Sequence, residues 1–382
     1  MVIKGIDNIK LYDSHLKNKK LGLITSISGV DNNLTSTIDI LHDNYILTAL
    51  FAPEHGVRGD KEAGECVDTY IDLTTGIPVY SLYRKESKHF TMEMLQNVDA
   101  IVFDIQDLGV RYYTFISTMI NAMKDCAKYN KEMIVFDRPN PLGGEVIEGN
   151  VLNPKYMSFV GAYPLPTRYG LTIGELAVLV NDEEKLGCNL AVIPCSGLKR
   201  KDLFPNMNQI WIMPSPAMPR FETALLYPGT CLFEGTNISE GRGTSCPFEI
   251  IGAPFIDANQ LVRQMKEQKL IGVEFTPAYF KPTSSKYSGI SCQGVHIHIT
   301  DYERYESYKT GLLLLEQIRN LYPQEFEFLP PRKEGENPFI SLLAGSNMFE
   351  HKEWTSREIL EHNRSQLEDF SLKKQKFHLY EK

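Results

Sequence analysis

The features this sequence lacks narrow its function before any motif does. It has no long lysine–arginine run, and its 382 residues carry a formal net charge of −8. A protein that gripped nucleic acid or an anionic membrane by charge would be basic along at least one segment. The apolar runs, such as Ile101–Phe103 and Leu312–Leu315, are far too short to cross a bilayer. The N-terminus, MVIKGIDNIKLYDSHLKNKK, has no continuous apolar core of the kind a secretory leader needs. The cysteines are seven, an odd number, and no two form a C-x-x-C pair. That pattern suits reduced core thiols better than a disulfide framework or a cysteine–zinc site. These absences predict a cytoplasmic protein. The alternative is an exported chain whose leader has been removed.

Four catalytic signatures are also missing. The first strand runs into SISGVDNN, with one glycine, so there is no G-x-G-x-x-G dinucleotide loop. No G-x-x-x-x-G-K-[ST] cradle for a triphosphate, no G-x-S-x-G nucleophile elbow and no H-E-x-x-H zinc motif occurs. His296 and His298 share one strand face and can ligate a metal. A solvent-facing or structural pair is the simpler reading, so no metal and no organic cofactor is expected.

What is present is an ordinary composition, 42% hydrophobic and 23% charged, at a length that fits one large or two medium domains. Apolar, β-rich segments at 20–26, 45–53, 100–105, 132–138 and 189–195 alternate with amphipathic stretches at 113–130 and 172–187. Short apolar strands alternating with helices imply an α/β fold with a parallel sheet covered on both faces. Thr172 stands three residues before Glu175, a capping box that marks a helix start. Residues 214–254 are dense in Gly, Pro, Ser and Thr. Beyond them, strands near 272–280 and 294–300 and helices at 257–269 and 303–321 predict a smaller α/β domain. The expected division is 1–205 and 206–382, with the C-terminal tail as an exposed helix.

Three of the first domain's strands end in acid: LFAPE at Glu54, IVFD at Asp104 and IVFD again at Asp137. In an open parallel sheet, ligands bind beyond the carboxyl ends of the strands. Each acid is followed by further polar groups: His55, Arg58 and Asp60; Gln106, Asp107 and Arg111; Arg138 and Asn140. A single acid after a strand is often only a helix cap; three in succession with arginines beside them read as a site. The glycine-rich segment EGTNISEGRGT adds Glu234, Asn237, Glu240 and Arg242, and its glycines let backbone approach a ligand. Carboxylates, arginines and amides in a cleft suit acid–base chemistry on an oxygen-rich substrate, glycoside hydrolysis among the first choices.

The stretches FAPEHGVRGD, FDIQDLGVRYYTF, FDRPNPLGG, YGLTIGELA, PSPAMP, ALLYPGTCLFEGTNISEGRGTSCPFEIIGAP and CQGVHIHITD run along nearly the whole chain. Together they resemble the exo-β-N-acetylmuramidase family. The resemblance implies a Rossmann-like domain joined to a smaller α/β domain, with the active site in the cleft between them. It implies release of N-acetylmuramic acid from the non-reducing end of peptidoglycan fragments, so the partner is a small muropeptide or disaccharide. By motif, Glu54 is the principal catalytic acid and Tyr113 the second catalytic group, with Tyr112 adjacent. Asp104 and Asp107 are the carboxylate alternatives for that second role, and the substrate's own acetamido oxygen is a third. One of Arg58, Arg111, Arg138 or Arg242 is expected to hold the lactyl carboxylate. The chain departs from the family pattern at Ser26 and Ser28, where an Asn-containing turn is common, at Tyr169 for histidine, and at Ala217 for asparagine. Two rivals remain: a muropeptide-binding protein without turnover, and an amidase or deacetylase acting on the same sugars.

Overall fold

The computed structural model describes residues 1–59, 69–331, 333–350 and 355–381, so Asp60 and Cys66 lie outside the described residues. The first half contains β1 (Lys20–Thr25), α1 (Thr37–Asn44), β2 (Ile46–Ala52), β3 (Tyr70–Ile71), β4 (Pro78–Ser81), β5 (Ala100–Asp104), α2 (Phe115–Tyr129), β6 (Glu132–Phe136), α3 (Ile173–Glu183) and β7 (Asn189–Ile193). The seven strands form one sheet in the order β3-β4-β2-β1-β5-β6-β7. Every neighbouring pair is parallel except β3 with β4.

Alternate residues of each strand point to opposite faces, and both faces are covered. Ile101 and Phe103 join Ile24 and Phe51 in the cluster under α2 and α3. Ala100 and Val102 join Leu21, Leu23 and Leu50 under α1 and the 3₁₀ segment Gly5–His15. Burial on both sides is why these strands read as unbroken apolar runs. The chain winds outward from β1 in both directions, to β2 on one side and β5 on the other. Such a reversal opens a crevice at the carboxyl edge. The capping box of Thr172 and Glu175 forms in full at the start of α3.

The second half adds α4 (Phe221–Thr230), β8 (Ile250–Ala253), α5 (Ala258–Glu267), β9 (Val273–Phe280), β10 (Cys292–Ile299), α6 (Ser307–Leu321), α7 (Phe339–Ala344) and α8 (Ser356–Lys374). Its antiparallel sheet runs β8-β10-β9. Pro277 is tolerated because β9 is an edge strand.

Two sequence expectations change. Helix α4 was hidden in the proline- and glycine-rich stretch, and nearly all of it is buried. It holds Pro228 in its interior and crosses α6 at Gly229 and Gly311. A side chain on Gly229 would lie 2.2 Å from the Ser307 carbonyl. The tail is the second change: it is not merely an exposed helix. Phe370 and Phe377 are buried, and Lys374 donates to the Gly144 and Gly170 carbonyls, the latter at 2.9 Å. The Tyr380 hydroxyl donates to Asp137 and accepts from the Cys195 N–H at 2.9 Å. The C-terminus thus returns to the first sheet. No described helix is long and apolar enough to cross a membrane.

Candidate active site

The acids at the sheet edge differ in how fully the framework engages them. Asp104 is wholly buried and fully engaged. Arg138 grips it with Nε at 2.5 Å and Nη2 at 2.8 Å, and the Thr37 hydroxyl donates to it as well. Asp137 is also wholly buried and accepts from Thr172 Oγ1 at 2.7 Å, the Gly174 N–H at 2.7 Å and Tyr380. Burial pushes its carboxyl up to about 7 against the pull of those three donors. Asn140 shapes its own turn, accepting from the Leu142 N–H and donating to the Leu171 carbonyl, both at 2.9 Å. Gln106 donates to the carbonyls of Asp107 and Pro139 at 2.8 Å each.

Arg111 is fully enclosed and donates to the Leu343 carbonyl at 2.8 Å and the Leu165 carbonyl at 3.3 Å. Burial lowers its guanidinium to about 10. Arg111 therefore ties the first domain to the segment at α7. Arg58 pairs with Asp72 at 3.0 Å and stays partly exposed.

Glu54 follows β2 directly and is 8% exposed. It accepts a 2.6 Å hydrogen bond from Thr114 Oγ1, one residue before α2. The turn that presents it is strained: His55 has φ 73, a left-handed conformation that a non-glycine residue adopts at a cost. Gly56 and Gly59 continue the turn at φ 77 and 76, where glycine is at ease. The His55 ring meets Phe115 edge-on at 6.4 Å.

Asp107 differs from Asp104 in keeping one oxygen free. Its Oδ2 accepts from the Gly109 N–H at 2.6 Å and from the Tyr169 hydroxyl. Its Oδ1 is buried and has no hydrogen-bond partner. Burial raises the carboxyl to about 6, even though both donors favour the charged form. Such a group can change protonation near neutral pH.

Tyr113 lies close enough to Glu54 and Asp107 to feel their charge. Its buried hydroxyl makes no hydrogen bond of ordinary geometry. Burial raises its pKa; Ser215 acts against that rise, the charges of Asp107 and Glu54 add to it, and Arg242 opposes it. The phenol therefore stays protonated at neutral pH and is poised as a donor. Tyr112 points elsewhere, donating to the Pro228 carbonyl.

The glycine-rich segment closes on the same point from the second domain. Tyr113 and Tyr227 rings lie 6.1 Å apart, Tyr227 meets Phe248 at 4.8 Å, and the Arg242 guanidinium sits 4.8 Å over Phe248. Phe248 has φ 61, a second left-handed bulky residue beside this group of side chains. Arg242 Nε donates to Glu234 at 2.7 Å and lies 3.8 Å from Glu240. Burial raises the Glu234 carboxyl, with Glu240 adding to the rise and Arg242 opposing it. Asn237 is structural, bonding to the Glu325 carbonyl and the Glu327 N–H at 2.7 and 3.0 Å.

Several participants were missed by sequence reasoning. Thr114 and Ser215 lay inside quoted motifs, and Tyr169 was marked only as a departure from the family pattern; nothing local shows which partners their hydroxyls reach. Lys286, 2.9 Å from Glu240, lies 46 residues from it with no local signal. The rings of the two histidines lie 4.2 Å apart, but only His296 belongs to a group of metal-capable side chains among the described residues. His298 bonds Thr276 at 2.8 Å, while His296 joins Cys246 and Glu249 in a cluster with ligand atoms within 4.8 Å of one another. Arg220 already supplies a cation there, donating to both Glu249 oxygens with Cys246 Sγ at 4.0 Å.

Comparison with known proteins identifies the family. A family model described as the N-terminal part of exo-β-N-acetylmuramidase NamZ matches residues 21–222, and the model of its C-terminal part matches 225–380. A peptidoglycan β-N-acetylmuramidase NamZ of Bacillus subtilis (strain 168) is 47% identical, over 98% of this chain and 91% of that one. Two crystal structures of DUF1343 family proteins from Bacteroides fragilis NCTC 9343 each cover 100% of this chain and 99% of theirs. They superpose with TM-scores of 0.90 and 0.77 at 37% and 30% identity. With both halves matched by the family's models and a relative 47% identical over nearly the whole chain, the chain belongs to the exo-β-N-acetylmuramidase NamZ family.

Proposed function

We propose that this chain is an exo-acting glycoside hydrolase that removes N-acetylmuramic acid from the non-reducing end of peptidoglycan fragments, with Glu54 as its acid. The observation that carries the residue assignment is the convergence on Tyr113. Its hydroxyl feels Glu54 and Asp107 from the first domain and Arg242 from the second. A sugar lying over that point would meet two carboxyls and a cation at once.

Hydrolysis needs a proton for the departing glycosidic oxygen and a group that supports attack at the anomeric carbon. Glu54, oriented by Thr114, gives the proton. Asp107 offers its free Oδ1 as the base that accepts the proton of the attacking nucleophile. Asp104 is not suited to that task, because Arg138 and Thr37 use both of its oxygens. Tyr113, held neutral, donates a hydrogen bond to substrate oxygen. Arg242 takes the lactyl carboxylate, since Arg111 and Arg138 are sealed in the framework. Its present partner Glu234 has a raised pKa and so gives up charge more readily than an ordinary glutamate.

A chromogenic β-N-acetylmuramic acid glycoside and a chain with its muramic acid capped by glucosamine test the reading together. Free muramic acid and aglycone from the first, with no cleavage of the second, are expected. Rapid internal cleavage would make the enzyme endo-acting, and acetate release would make it a deacetylase. Binding without turnover would leave a sensor. The six described cysteines are free and five are buried, which suits a reducing compartment. We place the reaction in the cytoplasm on that ground; recovery of the activity from the medium after fractionation would overturn this.

A further inference from the structure

A cavity of about 280 Å³ lies apart from the catalytic cleft and shares no residue with it. Three separate pieces build it: the loop at Asn150 and Asn153 between β6 and α3, the turn at Ser346 and Asn347 after α7, and α8 at Asn363 and Gln366. Asn363 and Gln366 are three apart on α8 and so share one face. Five of these six side chains are carboxamides.

Five polar atoms on the residues that line this cavity are buried without a hydrogen-bond partner. They are Asn150 Oδ1, Ser346 Oγ, Gln366 Oε1, and both Asn363 Oδ1 and Nδ2. Asn150 and Asn363 are only 2% and 1% exposed. Buried polar groups are normally satisfied, and one left alone costs free energy. So many around one cavity, all without partners, mark a place built to receive one.

The lining defines the partner. Among the described residues no lysine, arginine, aspartate or glutamate lines it, and His362 is the single titratable one. A phosphate, a lactyl carboxylate or an acidic peptide would enter without a countercharge. Carboxamides both donate and accept, which matches hydroxyl and acetamido groups. Met348 and Val151 add apolar surface for a methyl group. The volume is at the lower limit of small-molecule sites, about 300 Å³, room for one sugar ring and no more. We propose that this cavity is a second, non-catalytic saccharide site that holds one neutral N-acetylhexosamine residue. It rests on the cavity's own chemistry and stands whether or not Glu54 is the catalytic acid.

The test is calorimetric titration of the intact protein with N-acetylglucosamine and its β-1,4 disaccharide, beside N-acetylmuramic acid and a neutral blocked peptide amide. The expected result is saturable millimolar binding of the neutral sugars. Asn363→Leu should weaken it at least about tenfold without lowering Tm, because it deletes two unpartnered atoms at nearly constant volume. Gln366→Ala, at a half-buried position, should weaken it less and serves as a second variant if Asn363→Leu misfolds. Hydrolysis of a small muramic acid glycoside should be unchanged in both. The proposal falls if the wild type binds no neutral sugar, in which case the cavity holds only water. It falls equally if binding survives both substitutions, or if the peptide amide binds and the sugar does not.

Discussion

Replacing Asp107 by asparagine should stabilise this protein and disable it together. The Asp107 carboxyl is raised by burial from 3.8 to about 6, while in the unfolded chain it titrates near 3.9. Between about pH 4 and pH 6 the folded state therefore binds this proton more tightly than the unfolded state, and stability falls as pH rises. Above that window the carboxylate is ionised in both states, and the loss is complete. Two units of difference at 1.36 kcal/mol each amount to about 3 kcal/mol. Asparagine carries no charge and keeps an acceptor for the Gly109 N–H and the Tyr169 hydroxyl. Its amide nitrogen inherits the unpartnered place of Oδ1, which takes back about 1 kcal/mol. Urea unfolding across the window should show the variant's relative stability rising by about 3 kcal/mol, to a net gain of roughly 2 kcal/mol near pH 7. Its turnover should drop by ~10²–10⁴. A stability difference that does not vary with pH would show that Asp107 is not a destabilising buried carboxylate, and the reasoning would fail.

Arg242→Ala should cost about 2 kcal/mol, roughly thirtyfold in kcat/KM, on muramic acid substrates and much less on their glucosamine counterparts; equal losses on both would remove the lactyl contact. Tyr380→Phe should destabilise the fold by about 2–3 kcal/mol, because the Cys195 N–H and the Asp137 carboxyl each lose a partner. Its kcat should hold, and a collapse of kcat at unchanged stability would return Asp137 to the chemistry.

The parallel sheet was readable because β1, β2, β5 and β6 are buried on both faces and leave uninterrupted apolar runs. Glu54 was readable because the chain turns polar where β2 reaches the working edge. What separates Asp104 from Asp107 was not readable. That difference lies in Arg138, 34 residues beyond Asp104, and in Thr37, 67 residues before it, and no local pattern encodes either. Helix α4 was hidden because Pro228-Gly229 has the signature of a turn. Tertiary packing against Gly311 overrides that signature, and only glycine permits so close a crossing. The returning tail escaped notice for the same kind of reason: Tyr380 and Lys374 look like solvated residues until the partners they reach, at Asp137 and Gly144, are in view.

The most direct test of the central claim is steady-state turnover of a chromogenic β-N-acetylmuramic acid glycoside by Glu54→Gln, with Tm measured on the same preparation. The glutamine keeps the acceptor that Thr114 Oγ1 bonds at 2.6 Å in the native chain, so the fold should hold. The account predicts kcat reduced by ~10²–10⁴ with Tm unchanged. A variant that keeps more than about a tenth of native kcat would contradict it, because general acid catalysis by Glu54 would then be contributing almost nothing.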